Sequence, residues 1–174
     1  MKLKIKVLKL TNIALPTIIE NGEWIDLRAA ENVKFMAPQA GILHRNKNNE
    51  HRDVTFDFKY IPLGIAMKLP KGYEAHILPR SSTPNKFGIM CANSQGVVDN
   101  SYSGNKDMWK FPAIAIRETT INEGDRICQF RITLSQKASV WQKIKWLFTS
   151  GIKIVEVDNL EGTSRGGFGS TGIN

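Results

Sequence analysis

Asn93-Ser94-Gln95-Gly96-Val97-Val98-Asp99-Asn100-Ser101-Tyr102-Ser103-Gly104 sets an apolar pair, Val97 and Val98, directly against a carboxylate, with an aromatic ring three residues later. Val suits a strand interior, whereas Asp and Gly do not. The stretch therefore reads as a tight β-hairpin whose tip is kept open by backbone rather than filled by side chains. A carboxylate anchored beside an apolar wall can have a raised pKa and act as a base. An ordinary turn Asp in an Asx-turn fits the same letters, and only the company the stretch keeps can separate the two.

That company is mostly strand. Leu3, Ile5 and Val7 alternate with lysines, which is a half-buried strand and not the apolar block of a signal peptide. Val54, Phe56, Phe58 and Tyr60 alternate in the same way; Leu63 to Leu69, Ala75 to Leu78, Pro112 to Ile116 and Ile152 to Val157 read as further strands. Ile127 to Thr133 places Gln129 and Arg131 on one face and Cys128, Phe130 and Ile132 on the other. Residues 44–53 read as a solvated loop. His44 and His51 lie in it as imaginable metal ligands, but a metal site is not the expectation there. Asn105 to Phe111 reads as a loop carrying Trp109 and Phe111.

One segment departs from the two-residue period. Val140, Ile144, Leu147 and Phe148 fall at helical spacing over about residues 138–150, with Trp141 beside them, Ser139 as N-cap and Gly151 as stop. A helix packed on its own protein is the preferred reading, ahead of a membrane-surface or partner-binding helix.

The chain has 174 residues and 41% apolar content, enough for one domain with a real core. No apolar run approaches the ~18 residues of a membrane span. The two cysteines, Cys91 and Cys128, have neither metal nor redox spacing, so a reduced, cytoplasmic setting is expected. A net charge of +8 favours anions without choosing among them.

Three more segments carry chemistry. Asp26, flanked by Ile25 and Leu27, needs a partner such as an arginine, because burying a lone carboxylate is costly. Arg80-Ser81-Ser82-Thr83 after a strand suits an anion, through guanidinium and hydroxyl donors, and equally suits a capped helix start. The end, Arg165-Gly166-Gly167-Phe168-Gly169-Ser170-Thr171-Gly172, matches the dinucleotide pattern G-x-G-x-x-G over Gly167 to Gly172, but no helix can open with two residues left. It suits a flexible arm over residues 161–174 that closes on a phosphate and lays one ring on a base.

Taken in order, Ile25-Asp26-Leu27-Arg28, Pro79-Arg80-Ser81-Ser82, Gly96-Val97-Val98-Asp99 with Tyr102 and Gly104, Gly124-Asp125-Arg126-Ile127-Cys128-Gln129 and Arg165 to Gly172 resemble the five motifs of the trimeric dUTPases, in a diverged, phage- or bacterial-like form. The resemblance implies an all-β, jelly-roll-like β-barrel with one short inserted helix, in a single domain over 1–174. It implies a homotrimer with sites shared among subunits, dUTP as substrate, hydrolysis to dUMP and pyrophosphate, and Mg²⁺ bound through the substrate phosphates with no direct protein ligand. Asp99 then corresponds to the carboxylate that orients and deprotonates the water, and Tyr102 to the ring under the deoxyribose. Asn93, Gly96 and Val98 correspond to the uracil-reading backbone, and Arg80, Ser81, Ser82 and Gln129 to phosphate contacts. Asp26 would support them. Arg165, Phe168, Gly169, Ser170 and Thr171 form the closing arm, with Phe168 or the 105–111 loop supplying an aromatic lid. Neither membrane nor nucleic acid is expected as partner. A protein partner on the inserted helix is possible on this reading, and a phage-encoded chain would work in the host cytoplasm. A dCTP deaminase of the same fold and a dual-role regulatory protein are the alternatives.

Overall fold

A computed structural model describes residues 1–18 and 22–167. Among them are fourteen strands and two short helices: β1 (Leu3–Lys9), β2 (Ile25–Arg28), β3 (Val33–Phe35), β4 (Gln39–Asn46), β5 (Asn49–Thr55), β6 (Phe58–Pro62), β7 (Ile65–Lys68), β8 (Tyr73–Pro79), α1 (Thr83–Phe87), β9 (Ile89–Cys91), β10 (Gly96–Asp99), β11 (Lys110–Ala115), β12 (Thr119–Ile121), β13 (Arg126–Leu134), α2 (Val140–Leu147) and β14 (Ile152–Glu156). The fold is all-β and jelly-roll-like. Its ladders form separate sheets, β14-β1-β7, β10-β8-β13-β2 and β6-β11-β9, with two-stranded pairs β12-β3 and β4-β5, rather than one closed ring.

Alternation builds these sheets around one core. In β1 the buried Leu3, Ile5 and Val7 face inward while Lys4 and Lys6 stay exposed, and β14 lies parallel beside it, Ile5 opposite Ile154. In β8, Tyr73, Ala75 and Ile77 are buried. β13 contains an irregularity between Arg126 and Cys128, so Ile127 and Cys128 both turn inward before the alternation resumes at Phe130 and Ile132.

Four expectations are corrected. Residues 44–53 are not a loop but most of the β4–β5 hairpin, which extends into solvent with every residue exposed except the half-buried Leu43. The Val54–Tyr60 strand is broken after Thr55, and Val54, Phe56, Phe58 and Tyr60 are all exposed; alternation measured pairing here, not burial. Trp109 and Phe111 are 1% and 0% exposed, with the Trp109 ring edge-on to Phe130 at 5.4 Å, so they are core and not a lid. The fourth concerns α2, which does pack on its own protein but not through the apolar stripe of Val140, Ile144, Leu147 and Phe148. Ser139 caps it with the reciprocal Ser139–Gln142 pair, yet none of its residues is buried, and Trp141 and Leu147 are 79% and 80% exposed. It is attached to the body by Trp146 against Tyr73 (5.6 Å) and by Gln142, which donates to the Lys71 carbonyl at 2.6 Å.

Candidate active site

The stretch from Asn93 to Gly104 does not pair with itself. Its turn, with Ser94 at φ 63°, hands the chain from β9, which pairs with β11, to β10, which pairs with β8 in another sheet. Gly96 lies opposite Ile77 and Asp99 opposite Glu74. The strand change opens a cleft of about 270 Å³ at the seam between sheets. Asn93, Gly96, Val97, Val98, Asp99 and Tyr102 line it, joined by Ile77, Trp109, Lys110, Pro112 and the segment Arg165–Gly167. The Tyr102 hydroxyl donates to the Met108 carbonyl at 2.9 Å, which fixes the ring at the cleft wall.

Asp99 is half exposed, and one of its oxygens accepts from the Ser101 backbone N–H at 2.8 Å and from the Ser101 hydroxyl at 2.5 Å. The Ser101 hydroxyl bond is the main cause that holds the carboxyl below the usual carboxylate range; partial burial opposes it, and Arg165 adds to the lowering. The raised pKa expected from the apolar neighbours is therefore corrected: Val97 is itself exposed, and local donors outweigh desolvation.

Arg165 arrives from the C-terminal segment, whose described part reaches Gly167 and lies along the cleft. Its Nη1 lies 3.4 Å from Asp99 Oδ2 and donates to the Ser101 hydroxyl at 2.7 Å. The buried Asp107 fixes that segment by accepting from the backbone N–H groups of Gly104 (2.8 Å), Arg165 (3.1 Å) and Gly166 (3.2 Å). Close approach explains two glycines: a Cβ on Gly104 would meet the Ser164 backbone, and one on Gly162 would meet the Ser103 carbonyl. Ser101, Asp107 and Lys110 were not singled out from the sequence. Asp107 sits in a polar Asn-Lys-Asp run whose pattern resembles any solvated loop, and only its burial distinguishes it. Phe168, Gly169, Ser170 and Thr171 lie outside the described residues.

The other named residues gather elsewhere. Asp26 accepts from Arg80 Nε at 2.9 Å and from Arg126 Nη1 at 3.0 Å. Two guanidiniums on one carboxylate leave a net positive charge at the surface, flanked by the exposed Ser81 and Ser82. Gln129, half-buried on β13, reaches the Pro79 carbonyl at 3.4 Å. Ser82 is the N-cap position of α1 but makes no side-chain cap bond; instead Thr83, buried, accepts from the Arg80 N–H at 3.1 Å and donates to the Ile127 carbonyl at 2.7 Å. None of these residues lines the Asp99 cleft. Along β8, Arg80 is six residues beyond Glu74, the partner of Asp99. That is a separation of roughly 20 Å along the strand. One chain thus carries the Asp99 cleft and the guanidinium-and-hydroxyl cluster around Asp26 at separate places.

The donor set suits a hard cation carried by a ligand. Asp99 is the one carboxylate among the described residues lining the cleft, too few for a protein cage and enough for a cation held mainly by phosphate oxygens.

Three comparisons with known proteins agree. The dUTPase family model matches residues 52–172. The SPbeta prophage-derived deoxyuridine 5′-triphosphate nucleotidohydrolase of Bacillus subtilis is 45% identical over 172 residues, covering 99% of both chains. The deoxyuridine 5′-triphosphate nucleotidohydrolase of Finegoldia magna is 34% identical over 178 residues, covering 98% of this chain and 99% of its own. Among solved structures, the Streptococcus mutans dUTPase superposes with a TM-score of 0.61 at 19% identity, over 77% of this chain and 98% of that one. A dUTPase of Staphylococcus aureus phage phi11, described with a coordinated structural Mg(II) ion, does so at 0.59 and 16% identity, over 78% and 94%.

Proposed function

This chain belongs to the dUTPase family, a dUTP diphosphatase, and we propose that it splits dUTP into dUMP and pyrophosphate by attack of an Asp99-held water on the α-phosphate. The observation that carries this reading is Asp99 lining one cleft with the Asn93 turn, the backbone of Gly96–Val98 and the Tyr102 ring, whose hydroxyl is fixed on Met108. Backbone N–H and C=O groups around Asn93, Gly96 and Val98 are rigid readers of a base edge, and a narrow slot there rejects added groups by clash. Tyr102, with its hydroxyl tied to Met108, presents its face to a deoxyribose.

Asp99 accepts a hydrogen bond from the attacking water and takes its proton as the new P–O bond forms. Ser101 holds the carboxylate in position for this. In the structure described here Arg165 lies on Asp99; its role on this reading is to move to the terminal phosphate when nucleotide enters. That move removes one of the contributions that weaken Asp99 as a base, so basicity rises as the site fills. Bound Mg²⁺ would be held by phosphate oxygens near Asp99, supplying charge neutralisation to a transfer that asks chiefly for positioning.

Arg80, Ser81, Ser82 and Gln129 are the phosphate contacts, supported by Asp26. Arg80 lies roughly 20 Å from Asp99 along β8, so on this reading the group serves the site of a neighbouring subunit. A homotrimer, the assembly that the family resemblance implies, would supply that neighbour. The exposed apolar residues Phe58 and Met90, at 45% and 46%, supply a surface for such contacts.

Asp99→Asn is the test. The amide keeps the shape and cannot take the proton, so kcat falls by ~10²–10⁴ while dUTP still binds. Turnover near that of the unaltered protein would remove Asp99 from the role.

A further inference from the structure

We propose that the β4–β5 hairpin carries a binding site for a borderline divalent transition cation, Zn²⁺ being the type case, with His44, His51 and Asp53 as its ligands. Register puts them together. His44 stands directly opposite His51 across the ladder, and Asp53, two residues after His51, returns to the same face. The two imidazoles stack with centroids 4.9 Å apart, and His44 Nε2 lies 3.0 Å from Asp53 Oδ2. One ligand atom from each of the three residues falls within 4.8 Å of the others. Zinc bonds to His nitrogen and carboxylate oxygen of about 2.0–2.2 Å in a tetrahedron require ligand atoms ~3.3 Å apart. Small rotations of exposed side chains close that difference, and water completes the fourth position.

The element around the site gives the cation something to do. A two-stranded hairpin alone is marginally stable in water, and this one has no buried residue. The salt bridge from Arg45 to Glu50 (3.0 Å) belongs to the neighbouring ladder pair, whose side chains point to the opposite face, so it does not compete for the three ligands. A cation bridging both strands ties together a ribbon that the core does not hold. Two imidazoles and one carboxylate favour Zn²⁺, Cu²⁺ or Ni²⁺ over Mg²⁺, whose preferred ligands are oxygens. The site is therefore chemically distinct from the nucleotide cleft, to whose lining it contributes no residue.

The chain has three histidines, which makes the test direct. Zn²⁺ is titrated into the full-length protein by calorimetry and by NMR of the histidine rings, in the presence of millimolar Mg²⁺. One Zn²⁺ per chain is expected, shifting the ring signals of His44 and His51 and leaving those of His76, which pairs with Glu74 instead, unmoved. His51→Ala and Asp53→Asn each weaken binding more than tenfold, and dUTP hydrolysis in Mg²⁺ alone is unchanged in both. Affinity drops as pH falls, because the imidazoles must be neutral to bind. Absence of stoichiometric binding, binding that shifts His76, or binding that survives His51→Ala overturns the proposal. The ring shifts are read on the unaltered protein, so a variant that fails to fold cannot obscure the answer.

Discussion

At the scale of single residues, Ser101 shows how a short side chain sets the chemistry of a neighbour. Its hydroxyl and backbone N–H both donate to Asp99, and the hydroxyl is the main reason the carboxyl sits below the usual range. A group whose folded pKa is depressed is charged above that pKa and loses its charge as pH falls through it. On the proposed role, the Asp99 carboxylate is therefore available as base at neutral pH and is lost only in acid. Ser101→Ala removes the dominant donor, so the acid limb of kcat/KM moves to higher pH, toward the ordinary value. A pH profile on the two proteins reads this directly, and an unmoved limb means that Asp99 does not control it. The sequence exposed Asp99 and Tyr102 because Asp beside two valines, then an aromatic, is an unusual string. It hid Ser101, Asp107 and Lys110, whose importance is geometric: a buried Asp107 and a turn hydroxyl look in sequence like any loop residue.

At the scale of elements, two-residue alternation located the strands better than it located the core. β1, β8 and β13 obey it and are buried on one face. Val54 to Tyr60 obeys it too and faces solvent, because alternation specifies which residues share a side but not what covers that side. The same limit applies to α2, whose apolar spacing and Ser139 N-cap predicted the helix, while its attachment to the body rests on Trp146 and Gln142 rather than on the apolar stripe. Burial differs sharply between its two tryptophans, and so should their contributions. Trp141, 79% exposed, is a surface residue, so Trp141→Ala changes stability by at most ~0.5 kcal/mol. Trp146, half-buried against Tyr73, ties α2 to the body, and Trp146→Ala costs about 1–2 kcal/mol. Urea unfolding of both variants measures the difference. Neither residue lines the cleft, so both variants hydrolyse dUTP at the rate of the unaltered protein; equal losses of stability would mean that α2 is not held through Trp146.

At the scale of the whole molecule, the Asp99 cleft and the Arg80–Asp26–Arg126 cluster sit apart on one chain, and the described part of the C-terminal segment lies with Asp99. Arg165 touches Asp99 of its own chain, and Asp107 pins the backbone that brings it there. Arg80 instead pairs with Asp26, which Arg126 also holds, and none of the three lines the Asp99 cleft. The arrangement yields a complementation test. On the proposed homotrimer and roles, Asp99→Asn and Arg80→Ala are each made alone, and every site in each lacks one of the two residues. Unfolded together and refolded at equal amounts, they form mixed trimers. If Asp99 and Arg80 of one site come from different chains, about a quarter of sites receive Asp99 from an Arg80→Ala chain and Arg80 from an Asp99→Asn chain. Those sites are complete, and activity returns to about that fraction of the unaltered level. If one chain supplies both residues, each site keeps one defect whatever the mixture, and the refolded sample stays inactive. A silent preparation shown by mass spectrometry to contain mixed trimers would assign both residues to a single subunit, against the roughly 20 Å that β8 places between them.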